Sequence, residues 1–244
     1  MQNPKYLYHY TTVESLAMIL STKTFRFSPL SMLDDKQEEK TLDITAIGKT
    51  VFISSWTSDE RESIPMWNMY SKLEAGVRIK AKCNLFEGAK TLPDRTIEIS
   101  GYPHTNGEWD LFPPELKEVK YSDKEDDLFP KIVKGDGQIW DQSKFGIYKN
   151  TTWTFQNEWR YIVRFWPSRN YENTDESAET IYKKFVLGLP LYVYMKILQE
   201  SFDSMEITLS PKISSGNRIL VEALVKEYAP NVKVHNSILN NCIR

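Results

Sequence analysis

Three short polar clusters hold most of the residues in this 244-residue chain whose types and spacing could do chemistry. The first is Tyr8-His9-Tyr10-Thr11, an imidazole and hydroxyls set in a run of β-forming residues. At the mouth of a cleft such groups hydrogen-bond a sugar; a lone histidine in a strand is equally a satisfied structural residue. The second is Ser54-Ser55-Trp56-Thr57, taken with Met66, Trp67 and Tyr70. It reads either as a hydrophobic plug behind a strand end or as a slot where a flat ring stacks and serine hydroxyls fix a ribose. The third is Asn157-Glu158-Trp159-Arg160. Glu158 and Arg160 stand two apart on one face of a strand, as a plain ion pair or as a carboxylate oriented by an arginine and aimed at developing positive charge.

Composition removes several other chemistries. Two cysteines (Cys83 and Cys242), far apart in sequence, suit reduced thiols in a cytosolic setting rather than a disulfide scaffold or a cysteine-based zinc site. Three histidines supply too few nitrogens for a metal centre, so no metal is expected. No apolar run approaches the roughly 18–20 residues that span a bilayer, and MQNPKYLYHY lacks the layout of a signal peptide. A cytoplasmic chain with no membrane partner is the expectation. The net charge of −2 argues against non-specific coating of nucleic acid, which requires a broad basic field. The aromatic content is high at 13%, with seven Trp and thirteen Tyr, enough to fill a core and also to line slots for flat rings.

The elements that must hold these clusters are short. Residues 6–28 read as strand, helix, strand. Thr11 begins T-T-V-E, a capping box with Glu14, and Val13, Leu16, Ala17 and Leu20 share one helical face. Residues 29–45 read as an acidic loop with a weak helix. Val51 to Trp56 is apolar on both faces and then turns polar, as a central strand ending at a cleft would. Ser63 to Ser71 predicts a short helix with Pro65 in its first turn, placing Met66, Trp67 and Tyr70 on one side. Gly76 to Ala81 alternates as a strand. Residues 88–146 carry six of the ten glycines and five of the twelve prolines and read as a loop-rich insertion with short strands at Thr96 to Ser100 and Leu116 to Tyr121. Glu158 to Phe165 is a strong strand, Phe185 to Leu187 a buried one, Leu191 to Phe202 a helix, Glu206 to Leu209 a strand, Asn217 to Tyr228 an amphipathic helix and Val232 to His235 a last strand. The expectation is one α+β domain over residues 1–244 with a mostly antiparallel or mixed sheet. Neither a GxGxxG nor a GxxxxGK[ST] phosphate loop is present.

The order of these pieces resembles a widespread bacterial and phage family marked by an N-terminal Y-H-Y-T segment. There a helix follows, then a short strand with Arg (Phe25-Arg26-Phe27-Ser28), an acidic loop (Leu33-Asp34-Asp35) and a Ser-rich strand. An M-W-x-x-Y helix (Met66 to Tyr70), a G-V-x-I strand, an E-W-R strand, I-x-L-S-P (Ile207 to Pro211) and V-x-x-S-x-L (from Val234) complete it. The resemblance covers residues 6–82 and 157–240 and leaves 88–146 unmatched. That family is in turn similar to the ADP-ribosyltransferases, particularly DarT-like toxins that modify nucleic acid. The resemblance implies a split β-sheet of ADP-ribosyltransferase type with short flanking helices, binding NAD as co-substrate in the split. It implies that Glu158 is catalytic and that His9 binds the adenosine-side ribose, with Tyr10 beside it. Thr11 would meet the nicotinamide amide or its surroundings, and Arg26 the pyrophosphate or acceptor. Ser54, Ser55 and Trp56 would line the central strand, with Met66, Trp67 and Tyr70 walling the nicotinamide side. The implied role is a toxin or phage-defence effector acting on RNA or DNA, or else on protein, and held in check by an antitoxin or chaperone. A non-catalytic module for NAD, ADP-ribose or a nucleic-acid end, and a plain NAD glycohydrolase, are the alternatives.

Overall fold

The computed structural model describes residues 3–86, 109–111, 114–134, 139–167, 184 and 186–242. β1 (Tyr6–Thr12) leads into α1 (Val13–Thr22), whose Val13, Leu16, Ile19 and Leu20 are buried against the sheet. Burying each such aliphatic contributes about 1.5–3 kcal/mol. Thr12, rather than Thr11, caps this helix by accepting from Ser15 N–H, so Thr11 stays in the strand. β2 (Thr24–Pro29), β3 (Val51–Thr57), α2 (Ile64–Tyr70) and β4 (Gly76–Lys82) follow in the predicted order. Beyond them come β5 (Trp109–Leu111), β6 (Glu115–Glu118), β7 (Lys120–Tyr121), β8 (Val133–Lys134), β9 (Ile139–Trp140) and β10 (Tyr148–Lys149). A 3-10 turn, Thr151–Gln156, precedes β11 (Glu158–Pro167); β12 (Val193–Lys196), β13 (Glu206–Leu209) and β14 (Lys233–His235) complete the strands.

The main sheet runs β12-β2-β3-β1-β4-β13-β14, with β11 paired to β3, β5 and β6. Every pairing in it is antiparallel except β13 with β14. With short helices on its flanks, it is an α+β fold around a mixed sheet, as the sequence implies. The sheet is split. β1 pairs with β4 along its whole length but meets β3 only at Tyr8↔Thr57. β3 pairs instead with β11, from Glu158↔Thr57 to Arg164↔Val51, and touches β2 at Ser28↔Ile53 and Pro29↔Phe52. A core of Phe25, Phe27, Phe52, Trp56, Val163 and Phe165 with the aliphatics around them fixes the strands on either side of the gap.

Three expectations are corrected. Leu191 to Phe202 is not a helix: Val193, Met195 and Ile197 are buried alternately, form β12 and an edge bridge from Ile197 to Phe86, and only Gln199–Asp203 is helical. The period there is two, not 3.6. Residues 186–188 are helical rather than a buried strand, and Leu187 is 85% exposed. The capping residue of α1 is Thr12, as above. Within 88–146, β5 and β6 pair with β11, so that stretch supplies edge strands to the main sheet. The strand expected at Thr96 to Ser100 lies outside the described residues. Among the described residues no helix is long and apolar enough to cross a membrane.

Candidate active site

The gap between β1 and β3 opens into a cleft of about 100 Å³. Beyond the Tyr8↔Thr57 pairing, a side-chain bond ties its two sides: with Ser55 O as the acceptor at 2.8 Å, His9 Nδ1 must carry the proton and donate. Burial lowers the pKa of His9 more than that bond raises it, so the ring is neutral near pH 7 and Nε2 keeps its lone pair. The imidazole lies 5.0 Å from the Trp56 ring and 5.6 Å, edge-on, from Phe25.

α2 forms one wall. Ser63 caps it by accepting from Met66 N–H, and Ser63 N–H donates to the Tyr10 hydroxyl, which anchors the helix start to β1. Pro65 sits in the first turn, where no backbone donor is required. Met66 and Tyr70 line the cleft. Trp67 does not: it is fully buried against Tyr10, its rings 4.9 Å apart, with Nε1 donating to Glu62. The helix thus turns two of the three residues expected on that wall toward the cleft.

The floor is charged and almost dry. The chain leaves the Thr151–Gln156 turn through Asn157 at φ 41°, a left-handed conformation that asparagine tolerates, and begins β11 with Glu158. The Glu158 N–H donates to the Tyr121 hydroxyl, while β7 and β10 pair in parallel and bring Tyr121 and Lys149 beside it. Glu158 is 4% exposed and Arg160 wholly buried. Arg160 Nε donates to Glu158 Oε1 at 2.7 Å and Nη2 to Oε2 at 3.0 Å, a bidentate pair, while Lys149 Nζ donates to Oε2 at 3.1 Å. Arg160 Nη1 donates to Glu38 and to the carbonyl of Gly146. Gly146 stands at φ 77°, where a Cβ would also crowd Leu30, so this turn requires glycine. Gln156 joins floor to wall: its amide oxygen accepts from Lys149 and its amide nitrogen donates to Tyr70 Oη. Burial alone would push the Glu158 carboxyl up. The charges of Arg160 and Lys149, with hydrogen bonds from Arg160 and Ser55, outweigh it and hold the group at about 2. Such a carboxylate is a fixed negative charge and a poor proton acceptor at neutral pH. It can stabilise a cation; it is unsuited to taking a proton from an acceptor.

A second, larger chamber of about 320 Å³ adjoins the first at His9. Thr11, Ser15, Thr24, Ser28 and Ser54 bring hydroxyls to it, and Arg26, its guanidinium 4.6 Å over the Tyr192 ring, is the cation on its lining. His9, Leu33, Ser55 and Tyr70 line both chambers, so one elongated ligand could span them. Ten of the eleven residues singled out from sequence line one chamber or the other: His9, Tyr10, Thr11, Arg26, Ser54, Ser55, Trp56, Met66, Tyr70 and Glu158. Trp67 is the exception. The Ser54 hydroxyl already accepts from Trp56 Nε1 at 3.0 Å. Sequence reasoning missed Lys149, Gln156 and Asp34 on the lining and Glu38 beneath it. Only Asp34 carried a signal, as part of the acidic Leu33-Asp34-Asp35 loop.

Among the described residues no group of three or more His, Cys, Asp or Glu side chains is placed to hold a metal. No family model matches the chain, and no curated protein matches it. Among solved structures, DarT of Thermus sp. 2.9 in complex with carba-NAD+ is similar to it at 11% identity, with 100% of each chain covered and a TM-score of 0.35.

Proposed function

We propose that this protein is an ADP-ribosyltransferase that uses NAD as co-substrate and cleaves its nicotinamide–ribose bond in the split of the sheet. The observation that carries the reading is the convergence of a neutral His9, the Ser55 strand end, Tyr70 and an ionised Glu158 on one cleft that continues into a hydroxyl-lined chamber with Arg26. The residues fit the co-substrate. His9 Nε2 and the hydroxyls would take the riboses, Arg26 the pyrophosphate, and Trp56, Met66 and Tyr70 the flat rings. NAD supplies a cationic ring that departs neutral, so the bond breaks without a strong general acid. Glu158 then stabilises the positive charge left at the anomeric carbon, as carboxylates do in glycoside hydrolysis. The acceptor we favour is nucleic acid, RNA or DNA, ahead of protein. Phe155 is 38% exposed and its ring stands 6.2 Å from that of Trp153, on the turn that leads into Glu158. Exposed rings of this kind stack an unpaired base. A toxin or phage-defence role, with an antitoxin or chaperone partner, is an extension drawn from the sequence resemblance alone.

One observation favours a second reading. Both Glu158 oxygens are engaged by Arg160 and Lys149, as in a module that binds NAD, ADP-ribose or a nucleic-acid end without turnover. Mass spectrometry of single-stranded DNA, RNA and protein after incubation with the enzyme and NAD separates the cases. Transferase activity gives an acceptor heavier by one ADP-ribosyl group. Free ADP-ribose with unmodified acceptors indicates a glycohydrolase, and intact NAD indicates the binding module.

A further inference from the structure

Glu38 lies in the loop between β2 and β3, 5% exposed, and does not line the cleft. Its Oε2 accepts from Arg160 Nη1, and its Oε1 stands 3.4 Å from Lys149 Nζ while taking no hydrogen bond. A buried carboxylate is a costly way to anchor a loop, since neutral side chains of similar size commonly replace buried ion pairs without loss of stability. Charge counting suggests a different role. Glu158 alone faces two cations, Arg160 and Lys149, and that trio would be net positive beneath the cleft. Glu38 brings the group to two carboxylates and two cations.

We propose that Glu38 is a positioning residue: by sharing Arg160 and Lys149 with Glu158, it leaves the Glu158 carboxylate able to act on positive charge in the cleft. The inference rests on the NAD-cleaving reading above and assigns that site a residue outside its lining. A floor with surplus positive charge would oppose the positive charge that develops at the anomeric carbon as neutral nicotinamide departs. The effect belongs to the transition state, so it appears in kcat rather than in KM.

The test is nicotinamide release by the full chain, with kcat and KM for NAD measured separately and folding followed by thermal melting. E38Q keeps the shape and an acceptor for Arg160 but removes the charge. It is expected to lower kcat about tenfold or more while KM changes less than about threefold. E38D, which keeps the charge, should recover most of the loss. In E38Q/K149Q one carboxylate again faces one cation, so kcat should rise above that of E38Q; if E38Q alone melts too low to assay, the double variant is set against wild type, where a kcat within about threefold supports the proposal and a loss of about tenfold or more overturns it. Unchanged kcat in E38Q, equal losses in E38Q and E38D, or a double variant no better than E38Q would overturn the proposal and leave Glu38 a loop anchor. A wild type that releases no nicotinamide would overturn the active-site reading and this inference together.

Discussion

The two chambers on either side of His9 are built on opposite principles. Beneath the first, each charged group faces a partner of the opposite sign: Glu158 and Glu38 divide Arg160 and Lys149 between them, and Gln156 and the Gly146 carbonyl complete the shell. The second is a set of hydroxyls at strand and helix ends with Arg26 stacked on an aromatic ring. A preorganised charged floor acts on charge in a transition state because its dipoles need no rearrangement. A hydroxyl-rich chamber contributes binding. Under the proposed function, the difference would give rate to one side of the split and affinity to the other, and each can be broken separately.

The largest expected effect is on the charged side. Arg160→Ala leaves Glu158 and Glu38 buried without their shared partner and should cost about 3–5 kcal/mol of stability, read as a lower urea midpoint. On the other side, Arg26→Ala should leave the urea midpoint unchanged and weaken NAD binding by about 1.5–3 kcal/mol, the range for a hydrogen bond to a charged group, measured by calorimetry. A loss of stability instead would mean that Arg26 serves the fold.

The smallest effect concerns pH. The Glu158 carboxyl is held below its ordinary 4.5, at about 2, so the unfolded chain takes up the proton first as pH falls. Its stabilising contribution is complete above pH 4.5 and is lost as pH drops through about 2. In that interval it adds a slope of at most about 1.4 kcal/mol per pH unit. E158Q should remove that slope, so the stability difference between wild type and variant narrows as the medium is acidified.

The two sides also differ in how far they could be read from sequence. The walls were legible because their residues sit at the ends of elements with clear local signals: the β-forming run at Tyr6 to Tyr10, the apolar-to-polar strand ending at Trp56, and the Ser63-capped helix with Pro65. The hydroxyl chamber was only partly so: Thr11 and Arg26 came from the family resemblance, and Ser15, Thr24 and Ser28 were not singled out. The charged floor was half legible. Glu158 and Arg160 announce themselves by alternation on one strand. Nothing near Glu38 indicates that its partner lies 122 positions away. Lys149 belongs to a two-residue strand too short to carry a pattern. Trp67 was placed on the cleft wall because helical spacing groups it with Met66 and Tyr70; its bond to Glu62, which Ser237 Oγ and Ile238 N–H also reach from the C-terminal segment, is invisible in local sequence. The error at Leu191 to Phe202 came from reading apolar density as a helix where the buried positions alternate.

The central claim, that one fixed negative charge in the split drives bond cleavage, is tested most directly by E158Q, which keeps the side-chain shape and an acceptor for Arg160. Nicotinamide release and NAD affinity would be measured on the same preparation, with circular dichroism to establish that the variant is folded. The account predicts that release falls about a hundredfold or more while the dissociation constant for NAD stays within about threefold of wild type. Release at the wild-type rate from a folded E158Q would contradict it.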